Sequence, residues 1–153
     1  MAVVALAWLL VGSILLACID LREQRLPTRW IWALAVGLVV IHGIDVLAGG
    51  DGARLGWALV GGLVFGGLLL GLHLASPLSL GGGDVRLAVP LGIQVGWATG
   101  DEIATGIAAV TALAALLTVA GGLIVRRGRL GTGPLPFGPG LLTATLLVTV
   151  WSP

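Results

Sequence analysis

The stretch GGGDVRLAVPLGIQVGWAT, residues 81–99, decides the topology of the chain. Its apolar part, residues 87–99, is short for a helix that must cross about 30 Å of hydrocarbon, a task that takes roughly 20 apolar residues. If it crosses, the chain has six spans; if it does not, every later segment changes sides. The arginines discriminate between the two. With six crossings, Arg22, Arg25, Arg29, Arg86, Arg126, Arg127 and Arg129 share one side and only Arg54 falls on the other, the bias expected of cytoplasmic loops. Without the fourth crossing, Arg126, Arg127 and Arg129 would lie opposite Arg22 and Arg25.

Working outward, the other apolar segments are residues 2–19, 30–48, 55–75, 103–125 and 137–151, the last of them again short. The sequence therefore predicts an all-α, polytopic bundle of six transmembrane helices with both termini on the outer side, forming a single membrane-embedded domain over residues 1–153. Composition agrees, since 58% hydrophobic and 10% charged residues lie outside the usual range of soluble domains. A net charge of +1 offers no basic surface for nucleic acid. The single Cys18 can form neither an internal disulfide nor a thiolate cluster, and no metal ligand set or cofactor motif stands out. The string Leu15-Leu16-Ala17-Cys18 loosely matches a lipoprotein cleavage box, but no positive charge precedes the apolar run and five more hydrophobic segments follow.

On this map Trp30 and Trp32 sit at the inner boundary and Trp57, Trp97 and Trp151 at the outer one, as an interfacial belt, with Trp8 less well placed. Gly62 with Gly66, and Gly67 with Gly71, have the spacing that lets membrane helices approach closely. Packing within one chain is favoured over a homo-oligomer face. His42 and His73 read as packing or interface residues, and Ser13 and Gln94 as hydrogen-bonded between helices.

The acids carry the functional signal. Asp45, Asp51, Asp101 and Glu102 fall on the outer side as solvated residues, whereas Asp20, Glu23 and Asp84 fall on the inner side. Asp20 abuts the last apolar residue of the first span, and Asp84 lies just before the fourth, so the two share a membrane face and depth. An acid at such a boundary is costly unless it faces water or a partner. Each could still be a helix cap or pair with Arg22 or Arg86. Asp84 ends the run Gly81-Gly82-Gly83-Asp84, whose glycines are expected to break a helix and let another backbone approach. Asp20 opens Asp20-Leu21-Arg22-Glu23-Gln24-Arg25-Leu26-Pro27, expected as a loop that Pro27 stops from continuing as helix.

Three blocks resemble the type IV prepilin peptidases: Asp20 with Leu26-Pro27, Gly81-Gly82-Gly83-Asp84-Val85-Arg86, and Leu135-Pro136-Phe137-Gly138-Pro139. Each block alone is weak; their order, spacing and position at the inner ends of spans one, four and six make the resemblance specific. It implies an intramembrane aspartic endopeptidase with Asp20 and Asp84 as catalytic residues, and with Gly81, Gly83, Arg86 and Pro27 supporting them. It implies as partner a prepilin or pseudopilin precursor, cut after a short basic leader at the cytoplasmic face of the inner membrane, with the lipid bilayer as surroundings. Glu23 could meet the leader's charge, although a solvated loop residue is favoured. Larger members resemble a two-part enzyme whose cysteine-bearing N-terminal portion is linked to methylation. This chain looks like the short form, for which no methyl transfer is expected.

Two departures stand out. Arg86 replaces the family's usual lysine, and unlike lysine it cannot shed a proton; Thr28 stands where Asn or Asp often follows the proline. A degenerate, inactive member is one alternative. Another is a transport or scaffold subunit using Asp20 and Asp84 as ion-pair or proton-relay groups. The presenilin and signal-peptide-peptidase branch also carries Gly-x-Gly-Asp, but with a Tyr-Asp pair, and this chain has no tyrosine.

Overall fold

The structure is a computed structural model that describes residues 2–23, 28–75, 81–126 and 138–151; within these ranges the side chains at 2, 17, 18, 20–23, 120–126 and 138 lie outside the description. The described residues are all helical apart from short turns. The elements are α1 (Ala2–Glu23), α2 (Thr28–Leu47), α3 (Gly52–Ala75), α4 (Gly82–Thr99), α5 (Ile103–Arg126) and α6 (Gly138–Trp151), with a 3-10 turn, Gly100–Glu102, between α4 and α5.

Helix throughout is what lipid demands, because no water is at hand to satisfy a backbone amide. Large apolar side chains point outward all round the bundle, including Val3, Leu63, Leu74 and Val150, each at least 70% exposed. Helices apolar on every face belong in a bilayer. Among the described residues, Thr28–Leu47, Gly52–Ala75 and Gly82–Val119 are long and apolar enough to cross a membrane, whereas Val3–Leu16 and Pro139–Trp151 are shorter. The stretch Gly82–Val119 is two helices, not one. Gly106 of α5 packs so closely on α4 that a Cβ there would lie 2.7 Å from Thr99 Cγ2 and 2.8 Å from Val95 Cγ1. Eleven residues of continuous helix would hold Gly106 and Val95 about 16 Å apart. The chain therefore turns back at Gly100, whose φ of 58° suits glycine.

The helices alternate in direction. Trp8 and Gly12 of α1 meet Gly37 and Leu34 of α2, so this pair is antiparallel. The indole of Trp8 donates to the Leu34 carbonyl at 3.2 Å, which explains a tryptophan away from the interfacial belt. Gly61, Gly62 and Gly66 of α3 meet Gly92, Ile93 and Val89 of α4 in reverse order, again antiparallel. Here the backbones touch: a Cβ on Gly61 would collide with the Gly92 carbonyl, and one on Gly96 with the Trp57 carbonyl. Gly67 and Gly71, in contrast, have nothing within 4 Å of an added Cβ. Of the two expected small-residue pairs, Gly62 and Gly66 pack within the chain and the other faces outward.

Helix α4 is the hub, packing against α2, α3, α5 and α6. From Leu87 to Trp97 only Val89 is not fully buried. Its 18 residues begin at Gly82, five before the apolar run, which extends it to about 27 Å. The expectation that the glycine run breaks the helix is corrected. Gly81 is the N-cap, and Gly82 and Gly83 form the first turn, closed by Asp84 N–H to the Gly81 carbonyl at 3.1 Å. Glycine is well suited to the N-cap, and Asp84 in the first turn suits the positive end of the helix dipole. Asp20 is likewise helical, because α1 runs on to Glu23.

Trp97 also departs from expectation. It is 7% exposed and lies parallel to the His42 ring at a centroid distance of 4.1 Å, so it belongs to the core and not to the outer belt. Trp30, Trp32, Trp57 and Trp151 are exposed, as a belt requires. His42 and Gln94 are both buried and joined at 3.2 Å between Nε2 and Oε1. Ser13, expected to bond between helices, is buried with its Oγ unpartnered among the described residues.

Candidate active site

Two contacts fix the geometry of the α2–α4 seam. Toward its far end, His42 meets Gln94 and Trp97; at its beginning, Arg86 Nη1 donates to Thr28 Oγ1 at 2.9 Å. Residue order is the same on both helices, so they run parallel and their N-termini lie at one end of the bundle. This is the end that holds Asp84, two residues before Arg86. The antiparallel register of α1 on α2, set by Trp8 and Gly12, carried about two turns further brings the Asp20 backbone to the level of the N-terminus of α2. Asp20 and Asp84 are therefore at the same end and a similar height. Helices α1 and α4 share α2 and α6 as neighbours.

Asp84 occupies the third position of α4 and is half-buried. Leu87, Ala88 and Leu91 lie three, four and seven residues on, hence on the same helix face, and each is fully buried. The Asp84 side chain thus stands at the mouth of an inward-facing stripe. The glycines before it leave the approach open: Gly81 and Gly82 are exposed, and a Cβ at Gly82 would have nothing within 4 Å, while one at Gly81 would lie 3.4 Å from Asp84 Oδ2. Asp20 is placed by its backbone in the last turn of α1; its side chain, and Pro27 altogether, lie outside the described residues.

The third sequence block reaches the same end. Its described part, Gly138 and Pro139, opens α6, and proline suits a first helical turn. Gly140, one residue beyond, is buried against α5, where a Cβ would lie 2.6 Å from Thr118 Oγ1. Arg29, over the Trp30 ring at 5.9 Å, joins Arg86 here. Arg54 lies at the opposite end, in a depression of about 350 Å³ shared with Asp51, Trp57, Asp101 and Glu102. Asp51 there caps α3, its Oδ1 accepting from Ala53 N–H at 2.9 Å. Among the described residues no group of three His, Cys, Asp or Glu is arranged to hold a metal.

Sequence reading missed the Arg86–Thr28 bond and the Gly61–Gly92–Gly96 contact. The latter had a signal, since Gly92 and Gly96 repeat the four-residue spacing of Gly62 and Gly66. The former had none, because nothing in one sequence pairs residues 58 positions apart.

An all-helical, lipid-compatible bundle that gathers an acid, a glycine-opened helix start and basic residues at one end defines an integral membrane protein with a candidate hydrolytic site at its rim. The type IV leader peptidase family matches residues 4–125, four-fifths of the chain, and the protein belongs to that family. The match includes both Asp20 and Asp84 and stops short of the Pro-Phe-Gly-Pro block. Membership implies an aspartic-type peptidase acting on prepilin-type leaders. No curated protein and no solved structure gave a match.

Proposed function

We propose that the protein is an intramembrane aspartic endopeptidase that removes the short basic leader of a prepilin or pseudopilin precursor, with Asp20 and Asp84 as its catalytic pair. The observation that carries this reading is the family match across both acids, supported by their common height in the bundle. Peptide hydrolysis needs a nucleophilic water and a polarised carbonyl, and two carboxylates sharing one proton supply both. One takes the proton of the attacking water while the other donates to the carbonyl oxygen; the pair titrates as a unit, so neither role is assigned to one residue. Gly81 and Gly83 would keep side chains clear so that an extended substrate segment can lie beside the start of α4.

In this reading all six helices cross the inner membrane, both termini face outward, and the acids face the cytoplasm, where Arg29 and Arg86 follow the positive-inside bias. The activity proposed is cleavage, without methyl transfer. Co-expression with a candidate prepilin from the same genome tests the proposal. The parent is expected to shorten the precursor at the junction of leader and hydrophobic helix, and Asp20→Asn and Asp84→Asn to leave it intact. Normal cleavage by either variant refutes the pair.

A further inference from the structure

Two residues along an α-helix turn a side chain by about 200°, so neighbours at that spacing do not face each other. Asp84 shares its face of α4 with the buried Leu87, Ala88 and Leu91, whereas Arg86 is exposed and reaches sideways to α2. Its bond to Thr28 joins the fifth residue of α4, just past the turn that carries Asp84, to the first residue of α2, and α2 follows the helix of Asp20 after only four linking residues. We propose that Arg86 and Thr28 are a positioning pair: a tether that sets how the turn carrying Asp84 sits against the chain that leads from Asp20.

The turn needs such a hold. Glycine in a helix costs about 1 kcal/mol relative to alanine, and Gly82 and Gly83 are half of the first four residues of α4. Pro90 lacks an N–H, so the Arg86 carbonyl has no amide four residues on to accept from. The beginning of α4 is thus less firmly bound than its buried middle. A guanidinium suits a tether because it keeps its charge and offers five donors in a fixed fork, one of which is committed to Thr28. Proton transfer is not its task, since Arg86 cannot titrate and does not share the Asp84 face.

The consequence for catalysis rests on the peptidase reading, but the tether itself does not, and two measurements separate them. In cleavage assays with the full chain in liposomes and a prepilin substrate, Thr28→Val and Arg86→Met are each expected to lower kcat about five- to ten-fold. KM and the pH profile stay as in the parent, the double variant is no slower than the slower single one, and Thr28→Ser restores the rate. A silent Thr28→Val beside an inactive Arg86→Met, or a pH profile displaced by Arg86→Gln, would overturn the tether in favour of a charge role. The second measurement is the unfolding midpoint of the same variants in detergent, which needs no activity. Non-additive losses at residues 28 and 86 support the tether, and additive losses refute it. Asp20→Asn and Asp84→Asn in the cleavage assay report on the peptidase reading alone.

Discussion

The two polar contacts along the α2–α4 seam differ in everything except the helices they join. The one toward the C-terminal ends, His42 with Gln94 and Trp97, is buried and neutral in its hydrogen bonding, with stacked rings closing out water and lipid. The one at the end that holds Asp84, Arg86 with Thr28, is exposed, charged and adjacent to a run of glycines. Buried polar pairs in a membrane protein fix register, because an unpaired amide or imidazole has nowhere else to turn. A polar pair at the rim lies beside water, so it can hold the start of α4 in place without sealing its surroundings. The contrast separates a part of the seam closed to solvent from one open to it.

Several experiments would break or sharpen that contrast. The largest effect is expected at the rim, where Asp84→Asn should lower precursor cleavage by about 10²–10⁴-fold with little change in the detergent melting curve, because an amide NH2 of nearly equal size replaces one carboxylate oxygen. Next comes the α3–α4 contact. Gly92→Val places a branched side chain against the Gly61 carbonyl and the Phe65 Cβ, and should cost about 1–3 kcal/mol or prevent assembly, read as lost expression or a lower unfolding midpoint. A smaller loss, about 1 kcal/mol, is expected from Gln94→Leu, which strips His42 of its partner; cleavage per folded molecule should persist, and a drop in kcat without a drop in stability would blur the division drawn above. Least of all should Gly71→Ala matter, since its Cβ would meet open space; a change in oligomeric state on size-exclusion chromatography would show that this face is a contact after all.

Much of the architecture was legible in the residues. Bilayer-length apolar runs gave α2, α3 and α5 to within about three residues at either end, and the arginines implied alternating directions, which the contacts among α1 to α5 reproduce. Boundaries failed where apolarity stopped before the helix did. Asp20 and Gly82 both belong to helices, because backbone hydrogen bonding continues past the last apolar side chain as long as nothing stops it. Trp97 misled because an aromatic near the end of an apolar run suits an interface as well as a core. Its partner His42 lies 55 positions away, beyond the reach of any local pattern.

Composition, charge placement and three short blocks determined by themselves that the chain is a membrane-embedded helical protein of the leader peptidase family, with Asp20 and Asp84 at one face. These are properties of residues against solvent or lipid, and they need no knowledge of neighbours. What only the tertiary structure decided is which helices touch: α4 as the hub, the glycine contact with α3, and the Arg86–Thr28 bond beside Asp84. Such choices depend on shape complementarity between surfaces that are equally apolar, and in lipid hydrophobicity does not distinguish one apolar face from another.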